Sequence, residues 1–153
     1  MIAEALKNIQ SEIPKNVTLV AVSKTKPVED LQEAYDAGHR VFGENKVQEL
    51  TEKQVLLPKD IEWHFIGHLQ SNKVKYIAPF VSMIHAIDSF KLLKEVNKQA
   101  KKNDRVVSCL LQFHIAEESS KFGLDLEEAQ NMLSSDEFIE LQNISIAGVM
   151  AVS

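Results

Sequence analysis

The chain has 153 residues, of which 44% are hydrophobic and 25% are charged, and its formal net charge at pH 7 is −5. This balance predicts one globular domain over residues 1–153 and excludes a disordered chain. A net negative charge also argues against a nucleic-acid-binding surface, which needs clustered lysine and arginine, so we expect no nucleic-acid partner.

The N-terminal segment and the cysteine content indicate the cellular compartment. Residues 1–13, MIAEALKNIQSEI, combine helical periodicity with acidic side chains, which is atypical of a signal peptide or a membrane span. The single cysteine, Cys109, lies in the apolar run VVSCLLQF and is expected to be a small core residue. Since one cysteine forms no internal disulfide, we predict a cytoplasmic protein with no membrane partner.

Short apolar runs alternate with amphipathic runs along the chain, which is the pattern of parallel strands joined by helices. The predicted strands are residues 17–24, 39–45, 61–69, 81–88, 105–115 and 144–153. The predicted helices are residues 27–38, 46–56, a short one within 71–80, 90–103 and 124–133. Pro27 and Gly38 bound the first of these helices, and Asp88 or Ser89 caps the helix that begins at residue 90.

Two architectures fit this α/β pattern: an open, doubly wound sheet, or an incomplete (β/α) barrel, since a complete one needs at least about 200 residues. The last predicted strand, 144–153, is followed by no covering helix. An uncovered edge strand tends to pair with another chain, so we expect a homodimer through the exposed edge strands.

Both architectures collect functional side chains at the carboxyl ends of the strands. Lys24 ends the apolar strand of LVAVSKTKP, where burial and the like charge of Lys26 favour a neutral amine, which is a nucleophile toward aldehydes. The alternatives are a lysine that extends into water or one that pairs with Glu44.

Other polar groups and glycines have simpler interpretations. The five histidines are too scattered for a helix-spaced metal pair, so we expect no zinc site. Ser71 or Asn72 is expected to cap the next helix, with an anion site as the alternative. Local ion pairs at a helix start are expected for Glu117, Glu118 and Lys121. At Gly43, Gly67 and Gly148 we expect either close approach of a ring to the backbone or tight packing at the mouth of a barrel.

Six segments carry a resemblance to a known family. They are LVAVSKTKP, VFGENKVQEL, WHFIGHLQSNK, HAIDSFKLL, ESSKFG and IAGVM. In this order and spacing they resemble the pyridoxal-phosphate homeostasis proteins, a family similar to the N-terminal domain of alanine racemase.

The resemblance implies a parallel (β/α) barrel of the alanine racemase N-terminal type, incomplete here, with about six βα units and the last two missing. It implies that Lys24 holds pyridoxal 5'-phosphate as an internal aldimine, and that Asn45, His64 and Met150 line the pocket of the ring. The implied role is intracellular storage and delivery of the cofactor, without racemase or transaminase activity.

Two departures from the family pattern bear on cofactor affinity. The family continues beyond the GVM strand with segments that cradle the phosphate and supply an arginine facing the pyridine nitrogen, whereas this sequence ends at Ser153. A truncated scaffold that binds the cofactor weakly or not at all is therefore the alternative to a carrier. His114 stands where many relatives have asparagine, and we interpret it as lineage variation.

A racemase would need a second acid or base, usually a tyrosine, on the opposite face of the ring. The two tyrosines, Tyr35 and Tyr76, fall on predicted helices and not at strand ends. We therefore expect no enzyme, and keep an aldolase-like enzyme that uses Lys24 directly on a carbonyl substrate as a weaker alternative.

Overall fold

A computed structural model describes residues 1–114 and 123–151. Six parallel strands form one sheet in the order β1-β2-β3-β4-β5-β6. The strands are β1 (Ala21–Val22), β2 (Val41–Glu44), β3 (Glu62–Phe65), β4 (Met83–Ile87), β5 (Val107–Phe113) and β6 (Ile144–Ala151).

Helices connect the strands and also precede β1. They are α1 (Ile2–Glu12), α2 (Val28–Asp36), α3 (Val47–Leu56), a 3-10 turn (Ser71–Lys73) that leads into α4 (Val74–Ile77), α5 (Phe90–Lys102), α6 (Leu126–Leu133) and α7 (Asp136–Ile139). Among the residues that the structure describes, no helix is both long and apolar enough to cross a membrane.

The strand order distinguishes between the two architectures. Every strand pairs in parallel with its neighbours in the chain, and the order never reverses as it does in a doubly wound sheet. Right-handed crossovers between sequential parallel strands place the connecting helices on one side of the sheet. The fold is consistent with a partial (β/α) barrel and not with the open, doubly wound alternative.

The core lies between the sheet and these helices. Strands β2, β3 and β4 contribute Phe42, Trp63, Phe65 and Ile84, all at most 2% exposed. The thiol of Cys109, as predicted, is buried in the same core, and this burial raises its pKa to about 12. Each large apolar side chain buried here contributes roughly 1.5 to 3 kcal/mol.

Local signals confirm several predicted boundaries. Helix α2 follows Pro27 and ends before Gly38, whose φ of +103° is a conformation that L side chains rarely adopt. The Ser89 hydroxyl caps α5 by accepting a hydrogen bond of 3.1 Å from the backbone N–H of Leu92.

Other predictions need correction. The first strand was expected over residues 17–24 but covers Ala21–Val22, because those two residues alone have ladder partners, Phe42 and Gly43 on β2. The expected side-chain cap from Ser71 or Asn72 is not formed, since residues 71–73 make a 3-10 turn without one. Helix α7, which was not predicted, is a single turn capped by Ser135.

Candidate functional site

The carboxyl ends of the six strands lie at one edge of the sheet, and alternate side chains point to its two faces. One face carries the core. The opposite face, called here the open face, presents the residues between the core positions: Val22, Gly43, His64, His85, Gln112 and Met150. Val22 is 53% exposed on this face, although it is apolar. The open face is therefore accessible next to β1.

Lys24 lies two residues after the end of β1 and is exposed. The side chain of Lys24 is therefore not buried, and the expectation that burial favours its neutral amine is wrong. The alternative pairing with Glu44 is also wrong, because that carboxylate is paired with Lys53 at 2.9 Å. Lys24 lies beyond the strand, in a turn closed by a hydrogen bond of 3.1 Å from the N–H of Lys26 to the oxygen of Ser23. Because the side chain of Ser23 bonds to Glu44 on the helix face, we infer that Lys24, the next residue, lies toward the open face.

Beneath the strand end, on the helix side, lies a charged cluster that the sequence analysis missed. The ammonium group of Lys53 contacts Glu44 at 2.9 Å and Glu49 at 2.8 Å. Glu44 is completely buried and Lys53 is 5% exposed. The hydrogen bond from Lys53 is the main cause that lowers the pKa of the Glu49 carboxyl. The spacing of Glu49 and Lys53, four residues apart on a helix, is a signal that could have identified half of this cluster.

His64 forms a pair with a histidine of the next strand. The Nδ1 atom of His64 lies 2.8 Å from Nε2 of His85, so one ring donates to the lone pair of the other. Burial lowers the pKa of His64. Burial is also the main cause that lowers the pKa of His85 to about 4, and electrostatic repulsion by His64 is the second cause. Both rings are thus neutral near pH 7. Within the part of the chain that the structure describes, no group of three side chains could hold a metal ion.

Asn45 is positioned by the turn that follows β3. A Cβ atom added to Gly67 would lie 2.5 Å from the backbone oxygen of Asn45 and 2.7 Å from its Cβ. This glycine therefore allows two backbones to touch, which is tight packing, whereas a Cβ atom added to Gly148 would make only an ordinary contact of 3.6 Å with Leu110. Asn45 also lines a cleft of about 550 Å³ between the start of α3 and α4, together with Phe65 and Tyr76.

Met150 lies at the other edge of the sheet. It pairs in register with Gln112 on β5, and both side chains belong to the open face. Lys24 and Asn45 follow the neighbouring strands β1 and β2, and His64 lies on β3. Strands β4 and β5 separate β3 from β6, which carries Met150. The predicted pairs at Glu117, Glu118 and Lys121 lie outside the described residues.

The chain is similar to several known proteins. The family model for the N-terminal domain of alanine racemase matches residues 1–152. The pyridoxal phosphate homeostasis protein of Escherichia coli (strain K12) is 40% identical over 143 residues, which cover 91% of this chain and 60% of that protein. The protein of the same name from Pasteurella multocida (strain Pm70) is 39% identical, with 99% and 68% covered.

A solved structure extends the likeness to three dimensions. The structure of PipY from Synechococcus elongatus PCC7942 with PLP bound superposes with a TM-score of 0.90 at 36% identity, covering 100% of this chain and 71% of PipY. The chain spans 58 to 60% of the length of the first curated relatives that it matches. Sequence and structure together show that this chain belongs to the alanine racemase N-terminal domain family and, within it, to the pyridoxal phosphate homeostasis proteins.

Proposed function

We propose that the chain binds pyridoxal 5'-phosphate covalently through the amine of Lys24 and serves in cofactor storage and delivery. The observation that carries this proposal is the position of Lys24, which is exposed in the turn that follows the carboxyl end of β1. It is supported by the likeness to PipY, which has been solved with PLP bound.

The residues on the open face fit an aromatic aldehyde. The cofactor supplies an aldehyde carbon that accepts an amine, and Lys24 offers one that is accessible from solvent. The neutral ring of His64 lies on β3, and Asn45 follows β2, the strand next to β1; neither side chain presents a charge to an aromatic ring. We assign these two residues and Met150 to the lining of the ring pocket.

We place the phosphate anchor outside residues 1–153, as the family resemblance implies. Barrel phosphate sites lie after the seventh and eighth strands, and the structure describes six. This placement leaves the carrier with a covalent attachment point and a ring pocket in the part of the chain described here. A scaffold with weak cofactor binding remains the alternative.

We also propose that the chain has no racemase activity. Tyr35 donates a hydrogen bond of 2.6 Å to Asp60, and it lies on α2. Tyr76 lies on α4 and is 51% exposed. Neither tyrosine extends from the end of a described strand, where a second acid or base for racemisation is expected.

The test is a titration of the purified chain with pyridoxal 5'-phosphate, followed by visible absorption. We expect a saturable band in the wild type and in the matched control Lys26→Ala, and none in Lys24→Ala. Saturation that persists in Lys24→Ala would contradict the assignment of Lys24. A wild-type signal no stronger than that of random surface lysines would favour the scaffold.

A second experiment separates the carrier from the aldolase-like alternative. Borohydride is added with simple aldehydes and ketones in the absence of pyridoxal 5'-phosphate. For a carrier we expect no selective labelling of Lys24 by these compounds. The predicted homodimer, the single domain and the cytoplasmic location stay predictions from the sequence, and sedimentation of the folded chain at micromolar concentration tests the first of them.

A further inference from the structure

We propose that helix α3 positions the reactive lysine. The α3 clamp, defined as Glu44, Glu49 and Lys53, holds the residues on both sides of Lys24, so Glu49 and Lys53 are positioning residues for cofactor capture. This inference rests on the proposed function, in which Lys24 carries the cofactor. It adds a role for a helix whose polar side chains contact the strand end from the face opposite the cofactor.

The clamp holds the residue before Lys24 through several bonds. The Nζ atom of Lys53 donates to the backbone oxygen of Ser23 at 2.7 Å. The hydroxyl of Ser23 donates to the carboxylate of Glu44, and its backbone N–H donates to the oxygen of Gly43 at 2.9 Å. Ser23 is 4% exposed, so these bonds form away from bulk water, where they are stronger.

The clamp also holds the residue after Lys24. The backbone N–H of Thr25 donates to the Oε2 atom of Glu49 at 2.7 Å. Thr25 has a φ of +64°, which is unfavourable for a β-branched residue and persists only where neighbouring bonds determine it. The N–H of Lys26 then donates to the oxygen of Ser23 at 3.1 Å and closes the turn.

The ammonium group of Lys53 is fully used by these contacts. It has three N–H donors and three acceptors: the oxygen of Ser23, Glu44 at 2.9 Å and Glu49 at 2.8 Å. Its position therefore leaves little rotational freedom. Lys53 thus links Ser23, the residue before Lys24, to Glu49, whose carboxylate binds Thr25, the residue after it.

The consequence is directional. Ser23 points to the helix face and is fixed there, so we infer that the side chain of Lys24, the next residue, is directed toward the open face, on which His64 lies. Lys26 is also exposed and lies in the same loop, but the clamp bonds only to the residue before it, Thr25; the residue after it, Pro27, belongs to the start of α2. The clamp thus distinguishes two neighbouring lysines of similar chemistry.

The test compares these two lysines in one molecule. The chain is treated with limiting pyridoxal 5'-phosphate and borohydride: the amine attacks the aldehyde carbon, water leaves as the C=N bond forms, and borohydride supplies the hydride that reduces it. Peptide mass spectrometry then gives the ratio of labelling at Lys24 to that at Lys26. In Glu49→Ala we expect this ratio to fall about fivefold, the effect of losing one ordering hydrogen bond.

Amide exchange measured by NMR without any cofactor provides the second readout. We expect the N–H of Thr25 to exchange about fivefold faster or more in Glu49→Ala, because its acceptor is lost. The conservative variant Glu49→Gln keeps an acceptor oxygen and should retain most of the labelling ratio. The matched control is Glu52→Ala, which removes an exposed carboxylate of α3 that bonds to Gln48 and not to the loop.

Each outcome bears on the clamp. A ratio in Glu49→Ala equal to that of the wild type, or a loss of the same size in Glu52→Ala, would overturn it. General destabilisation lowers the labelling of both lysines alike and leaves the ratio unchanged, so it counts against the clamp. Equal labelling of Lys24 and Lys26 in the wild type would overturn the proposed function and, with it, the positioning role.

Discussion

Two lysines lie close to the end of β1 and differ in their burial and in their hydrogen-bond partners. Lys53 is 5% exposed on the helix face and is surrounded by oxygen acceptors, whereas Lys24 is exposed on the open face. A buried charge is tolerated only when it is paired and hydrogen-bonded, so the role of Lys53 is structural. The amine that is available for chemistry is the one that the fold does not use.

The same contrast extends to the neighbouring polar groups. On the helix face the clamp consists of ionised groups in contact, Glu44 with Lys53 at 2.9 Å. On the open face the facing groups are His64 and His85, two neutral rings whose nitrogens are 2.8 Å apart. Ionic contacts hold the strand ends, and neutral contacts border the space where a ligand would bind.

The largest expected effect comes from breaking the buried cluster. Lys53→Met leaves Glu44, which is completely buried, without its cation, and the Oε1 atom of Glu44 already has no hydrogen-bond partner among the described residues. We expect a loss of about 3 to 5 kcal/mol in the free energy of unfolding, measured by urea denaturation.

The control and a rescue variant sharpen this prediction. Lys59→Met removes an exposed lysine that bonds to the backbone oxygens of Gln54 and Val55, and should change stability little. Glu44→Gln combined with Lys53→Met removes both charges and should recover a large part of the loss. A single variant as stable as the wild type would show that the buried pair is not needed.

A smaller effect is expected from the close contact between Gly67 and Asn45. Gly67→Ala adds a Cβ atom 2.5 Å from the backbone oxygen of Asn45, so the turn after β3 has to move. We expect a loss of about 1 to 3 kcal/mol in thermal or urea unfolding. In the control Gly148→Ala, the new atom lies 3.6 Å from Leu110, an ordinary contact. Equal losses in the two variants would contradict a specific role for Gly67.

The neutral histidine pair predicts a pH dependence. His85, with a pKa of about 4 in the folded chain against 6.5 for the free side chain, binds fewer protons when folded than when unfolded. Stability is therefore full above the unfolded value and is lost as the pH falls toward the folded value. We expect a loss of about 1 kcal/mol between about pH 7 and about pH 5, after allowing for solvent screening.

This window separates the histidines from the carboxylates. The lowered pKa of Glu49 affects stability only at more acidic pH, below the range of the measurement. For His85→Asn we expect the free energy of unfolding, measured by urea denaturation at each pH, to change less with pH than in the wild type. A wild-type chain that becomes more stable on acidification through this range would show that the pair is charged when folded.

The elements of the fold could be predicted from the sequence because hydrophobic periodicity is local. The helices over residues 28–36, 47–56 and 90–102 lie within the predicted segments. The length of β1 could not be predicted, because a strand extends only as far as its ladder partners, which belong to another segment.

The site could be predicted in part. Lys24 is singled out by its place near a strand end, whereas the roles of Asn45, His64 and Met150 come from the family resemblance and stay predictions. The link from Lys53 to Ser23 joins residues 30 positions apart, and the pair of His64 and His85 depends on the register of β3 and β4. Such contacts arise from the packing of α3 and from strand pairing, neither of which the local pattern determines.

The smallest expected effect completes the comparison of the two lysines. Lys24→Ala removes an exposed side chain from the end of β1, so the free energy of unfolding should change by less than about 0.5 kcal/mol. The same substitution should abolish cofactor labelling. On one preparation, urea unfolding measures the change in stability and borohydride trapping measures the labelling. If Lys24→Ala were as destabilising as Lys53→Met, the two lysines would share a structural role, and the separation of a structural helix face from a reactive open face would not hold.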